Sequence, residues 1–158
     1  MTVQRVVVLG RGGAGKSTFA RRLAGLTGLP VVELDRLFWQ DGLRPLSPEQ
    51  WAEIQEQLAG GDRWILDGDL GPHDVLAPRL RRADAVVVLD FSLPRSAWRA
   101  ARRGRERTDF WRWVVAYRRR WLPSVAAAVR QHCPGAEVHV VRTPRAAERL
   151  LAALSLSG

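Results

Sequence analysis

The chain has 158 residues and a formal charge of +9, from 25 arginine or lysine side chains against 16 acids, with one cysteine, Cys133. That length suits one domain whose core needs no staples, and a single cysteine excludes an internal disulfide. No apolar run approaches a membrane span and Gly10 follows the N-terminus too soon for a signal peptide, so the expectation is a soluble cytoplasmic protein without a membrane partner.

Val3 to Leu9 reads as a first strand, and its apolar run leads directly into Gly10-Arg11-Gly12-Gly13-Ala14-Gly15-Lys16-Ser17. This fits G-x-x-x-x-G-K-[ST], a phosphate-binding loop. Gly10 turns the chain out of the strand. Gly12, Gly13 and Gly15 let backbone amides close on anionic oxygens, and Ala14 is small enough not to interfere. Lys16 is suited to the β- and γ-phosphates and the Ser17 hydroxyl to Mg²⁺. Ser17, Thr18 and the residues to Leu26 read as a helix, whose N-terminus also favours the anion. The same stretch satisfies the dinucleotide pattern G-x-G-x-x-G, but that site has no use for Lys16-Ser17, and Lys16 is the only lysine in the chain.

Thr27-Gly28-Leu29-Pro30 ends this helix, and Val31 to Leu34 is a short second strand with Asp35 at its edge. Arg36 to Leu46 has no clear period. Ser47-Pro48-Glu49-Gln50 carries an N-cap serine, proline at N1 and glutamine at N3, which predicts a helix from Pro48 to about Ala59. Arg63 to Asp67 is a third strand followed by a loop, Ala85 to Asp90 a fourth, and Ala136 to Val141 a fifth. Helices are predicted over Pro94 to Arg103, over Asp109 to Arg130 with Pro123 as a point of division, and over Pro144 to Leu154. Strands alternating with helices predict an α/β, three-layer P-loop NTPase domain with a five-stranded parallel sheet, spanning residues 1–158 as one nucleotide-kinase-like unit.

Three aspartates close three strands: Asp35, Asp67 and Asp90. Phosphoryl transfer uses acids there to hold the metal's water shell or accept the acceptor's proton, although aspartate is also ordinary turn chemistry. Beside a phosphate-binding loop, the balance favours function for Asp35 and Asp67.

Gly10 to Thr18, Leu34-Asp35-Arg36-Leu37-Phe38-Trp39, Trp64-Ile65-Leu66-Asp67-Gly68-Asp69 and Asp84 to Pro94 together resemble the adenylate-kinase-related DNA topology modulation proteins. More distantly the chain is similar to adenylate, shikimate and gluconate kinases. The resemblance implies ATP and Mg²⁺ as cofactors, with Asp67 beside the metal's waters and Asp35 near the acceptor hydroxyl. It also implies Arg99 and Arg103 over the adenine and phosphates, within a lid of residues 99–109, and Arg142 and Pro144 closing over the adenine. This chain departs from the pattern at Asp69, where the relatives usually have asparagine.

The expected activity is transfer of the ATP γ-phosphoryl group to a small acceptor, nucleoside monophosphates included. The charge is uneven: residues 1–90 carry 11 basic and 12 acidic side chains, residues 91–158 carry 14 and 4. That basic region, with Trp98, Phe110, Trp111, Trp113, Tyr117 and Trp121 among its arginines, keeps open the alternative of a nucleotide-switched nucleic-acid-binding protein with weak ATPase activity. It is the less favoured reading, because the aromatic spacing is that of an amphipathic helix facing a core. His73, His132 and His139 show no metal-ligand spacing, and no pattern specifies an oligomeric state.

Overall fold

The computed structural model describes residues 2–11, 14–39, 46–91 and 116–157. Its strands are β1 (Arg5–Gly10), β2 (Val31–Glu33), β3 (Trp64–Asp67), β4 (Ala85–Leu89) and β5 (Glu137–Val141). They form one sheet in the order β2-β3-β1-β4-β5. Every neighbouring pair is parallel, with Val8 opposite Asp67 on one side of β1 and opposite Val87 on the other. All the strands therefore end on one edge, where parallel α/β sheets hold ligands.

The apolar runs of β1 and β4 follow from burial on both faces. Val6 and Val8 pack with Ala85, Val87 and Leu89 against Phe19 and Leu23 of α1 (Lys16–Thr27) and against Leu150, Leu151 and Leu154. Val7, Leu9, Val86 and Val88 point the other way and pack with Trp51, Trp64, Val125 and Val129. Trp51 belongs to a helix at Pro48–Ala59, Val125 and Val129 to a helix at Leu122–His132, and the leucines to a helix at Pro144–Leu156.

The short β2 is followed at once by a helix, α2 (Leu34–Phe38), where the sequence shows no clear period. Leu34 and Phe38, four residues apart, are both buried, and this single apolar pair is enough to dock one turn. Asp35 accordingly sits in the first turn of α2 beyond the strand end. The helix α3 (Pro48–Ala59) carries the complete capping box, with Ser47 and Gln50 exchanging hydrogen bonds at 3.2 and 3.1 Å. After β3 come a 3₁₀ turn at Gly71–His73 and the short α4 (Ala77–Leu80). The predicted helix at 94–103 and residues 109–115 of the predicted long helix lie outside the described residues; from Tyr117 a π turn (Tyr117–Trp121) runs directly into α5 (Leu122–His132), with Pro123 in its first turn. Proline lacks the N–H that continuous α-helical bonding would need there. The last helix, α6 (Pro144–Leu156), starts at a Thr143 cap that accepts from the Ala146 N–H at 3.2 Å.

Candidate active site at the C-terminal edge of the sheet

The loop between β1 and α1 places Gly10, Ala14, Gly15, Lys16, Ser17 and Thr18 at the centre of this edge. Gly15, the residue before α1, has φ 85°, a left-handed conformation that strains any residue with a Cβ. Neither a side-chain cap nor an acid in the first turn satisfies the N-terminus of α1. Its leading N–H groups thus remain available to an anion, with the helix dipole behind them. Lys16 is nearly buried, and its Nζ donates to the Arg11 carbonyl at 3.0 Å, folded back across its own loop. Gly12, Gly13, Arg99, Arg103 and the lid at 99–109 lie outside the described residues.

Two carboxylates face this loop. Asp67, the last residue of β3, is 3% exposed, and its Oδ1 has no hydrogen-bond partner. Burial pushes its pKa up, while the Lys16 charge and the Ser17 hydroxyl favour the ionised form. Asp35 is exposed to solvent, although its carboxyl lies close against Gly68. Loss of solvent pushes its pKa up to about 6; Lys16 opposes this, and Asp67, Asp74 and Asp69 add to it. Gly68 makes room for the carboxyl: a Cβ there would stand 2.9 Å from Leu34 Cβ and 3.3 Å from Asp35 Oδ1. Asp69 accepts from the Gly10 N–H at 3.3 Å and from the Gly71 N–H at 3.0 Å, which ties the loop after β3 to the end of β1.

The third strand-end acid has a different setting. Asp90 is buried between two arginines, with Arg11 Nη2 3.3 Å from one oxygen and Arg142 Nε 3.5 Å from the other. It joins the loop after β1 to the segment after β5. A cleft of about 80 Å³ opens beside it, lined by Gly15, Thr18, Phe19, Leu89, Phe91 and Pro144 among others. Pro144 is thereby brought together with Gly15 and Thr18. At its rim Arg22 of α1 and Glu148 of α6 form a two-pronged ion pair, the second contact at 2.7 Å.

Sequence reasoning does not reveal the network under the β3 loop. Arg79 is fully buried; its guanidinium donates to the Gly68 carbonyl at 3.0 Å, to Asp74 at 3.0 and 2.7 Å, and to Gln55. Trp51 Nε1 and the Leu70 N–H also donate to Asp74, at 3.2 and 3.1 Å. Burial alone would raise the Asp74 pKa, but the Arg79 charge and these bonds hold it below the usual carboxylate range. No pattern in the segment Gly68 to Arg82 marks the pair, since the partners meet only once α3, α4 and the loop are docked.

The α/β fold, with its five-stranded parallel sheet, is similar to that of several kinases of solved structure. A shikimate kinase from Acinetobacter baumannii in complex with shikimate has a TM-score of 0.64 at 18% identity, covering 97% of this chain and 91% of that one. For a gluconokinase from Sinorhizobium meliloti 1021 the values are 0.58 and 21%, over 98% and 95%. For the deoxyadenosine kinase from M. mycoides with bound dATP they are 0.58 and 15%, over 96% and 98%. No protein-family model matches the chain, and no curated protein sequence matches it. Among the described residues no helix is long and apolar enough to cross a membrane.

Proposed function

We propose that the chain is an ATP- and Mg²⁺-dependent phosphotransferase, an adenylate-kinase-like P-loop kinase acting on a small acceptor, and that its resemblance to the DNA topology modulation proteins reflects this chemistry. One observation carries the reading: an unsatisfied helix N-terminus with its lysine stands beside two carboxylates whose pKa values are raised. Anion-binding amides and a lysine suit a polyphosphate. The buried, unpartnered Asp67 oxygen and the Ser17 hydroxyl are hard oxygen donors of the kind Mg²⁺ takes, so these two residues would hold the metal and its waters. The metal would supply charge neutralisation between the terminal phosphates.

The remaining roles fall to this chain's own groups. Lys16 leaves the Arg11 carbonyl for the phosphate oxygens, and the amides of Gly10 to Thr18, including those of Gly12 and Gly13, line the cradle. Asp35, its pKa raised to about 6, orients the acceptor hydroxyl and takes its proton. The cleft bounded by Gly15, Thr18 and Pro144, next to Arg142, receives the adenine. Residues 99–109 act as a lid within this single domain, with Arg99 and Arg103 on the transferring phosphates and water excluded. Replacing Lys16 with alanine is expected to lower kcat/KM by on the order of a thousandfold, read as ADP release with ATP and a panel of nucleoside monophosphates and small alcohols. Undiminished turnover in that variant overturns the assignment.

A second reading, nucleic-acid binding switched by nucleotide, draws on the exposed arginines of the C-terminal part, among them Arg119, Arg120, Arg130, Arg145 and Arg149. It requires DNA affinity that falls steeply with salt and changes when ATP is added. Binding that is weak and indifferent to nucleotide removes it.

A further inference from the structure

Beside Asp35 stands an aromatic wall that the phosphate chemistry does not use. Trp39 is 37% exposed, an unusual position for the largest side chain in a chain with a well-formed core. Its ring is nevertheless fixed. Phe38 meets it edge-on at 4.9 Å and 89°, and Phe38 in turn lies edge-on against the fully buried Trp51 at 5.2 Å and 74°. Trp51 is itself held through Nε1 by Asp74. The exposed His73 completes the group, its ring 6.2 Å from both Trp39 and Phe38. A tryptophan anchored by the core but left in water has its orientation set in advance, and a ligand that stacks on it loses little entropy in ordering it.

The wall is next to the reacting end by construction. Trp39 caps the C-terminus of α2 and donates its N–H to the Asp35 carbonyl at 3.3 Å, so the two residues lie one helical turn apart. His73 lies five residues beyond Gly68, whose missing Cβ makes the space for Asp35 Oδ1. Trp39 and His73 thus bring α2, which carries Asp35, together with the 3₁₀ turn that follows Gly68.

We propose that Trp39 and His73 determine acceptor specificity and that the acceptor is a ring-bearing alcohol, a sugar, cyclitol or nucleoside whose ring face stacks on Trp39 while a hydroxyl meets Asp35. This rests on the kinase reading. In the transfer, the acceptor oxygen forms a bond to the γ-phosphorus, and the bond from that phosphorus to the bridging oxygen breaks. ADP leaves with the electron pair, and the hydroxyl proton passes to Asp35.

The test is ADP release above the acceptor-free rate, with matched concentrations of pyranoses, cyclitols, nucleosides, acyclic polyols and simple alcohols. Ring acceptors are expected to be the substrates, and whether sugars, cyclitols or nucleosides respond identifies the source of the ring. Against the best of them, Trp39→Ala is expected to raise the acceptor KM roughly tenfold, as the loss of one stacking partner would. The KM for ATP should move less than twofold. Trp39→Phe should restore the acceptor KM to within about threefold, and His73→Ala should give a smaller rise. Thermal melts of each variant check that the fold is intact. An acyclic acceptor that outperforms every ring, or an acceptor KM unchanged in a folded Trp39→Ala protein, overturns the stacking wall and leaves the kinase reading standing. No ADP release with any of these acceptors or with any nucleoside monophosphate overturns both.

Discussion

The two edges of the sheet treat the same side chain in opposite ways. At the N-terminal edge Asp84, just before β4, accepts from the Gln4 and Arg5 N–H groups at 3.1 and 2.9 Å and pairs with the Arg5 guanidinium at 2.9 Å. Burial would raise its pKa, but the Arg5 hydrogen bond and the backbone donors outweigh it and hold the carboxyl below the usual range. At the C-terminal edge Asp35 and Asp67 are both raised, and Asp67 keeps a buried oxygen with no partner. An unsatisfied buried acceptor costs stability, so a fold that finishes one edge and leaves the other incomplete has a use for the incomplete one. Beneath these groups the Arg79 guanidinium is paired through both terminal nitrogens, to Asp74 and to the Gly68 carbonyl, and only its Nε lacks a partner.

The largest effect expected from disturbing this contrast is therefore in the support. Arg79→Met leaves the Asp74 charge buried and unpaired, and is expected to cost about 3–5 kcal/mol of stability, read from denaturant midpoints. A loss below about 1 kcal/mol would mean that the loop is not held by this pair. Next, Asp84→Asn weakens the finished edge by about 1–2 kcal/mol. Its effect on turnover should be negligible, so a large fall in kcat would show that the two edges are coupled.

The smallest effect is in pH dependence. With its native pKa near 6, against an ordinary 3.8, Asp35 binds its proton more tightly folded than unfolded. Below about pH 4 the group is protonated in both states and the raised pKa costs nothing; as pH rises from 4 through 6, stability falls. Asp35→Asn removes that loss, so the variant's melting temperature should gain on the wild type between pH 4 and 7. Solvent contact keeps the gain modest. Activity should move the other way, with wild-type kcat/KM rising through about pH 6 as Asp35 ionises. A pH-independent difference between the melting temperatures would show that its surroundings do not raise the Asp35 pKa.

Much of the fold is legible in the chain because its signals are local. Val6 to Leu9 and Ala85 to Leu89 are apolar throughout, as central strands must be, and Ser47 to Gln50 spells a helix start by itself. The proposed phosphate-binding motif is legible for the same reason, since Gly10 to Ser17 are consecutive in the chain. Other elements are not. Leu34 to Phe38 is too short for a period to register, and Asp90 looks identical to Asp35 and Asp67 until Arg11 and Arg142 are found on either side of it.

By itself, then, the sequence determined the strand–loop–helix at Gly10 to Ser17, the α/β alternation and the acids that follow the strands, since each depends on residues adjacent in the chain. Only the tertiary structure decided which acid is committed to arginines and which is left open. It also placed Gly68 against Asp35, buried Arg79 beneath the loop and set Trp39 and His73 side by side. Those outcomes depend on burial and on partners far away in the chain, and charge and solvation are fixed by what surrounds a group in space.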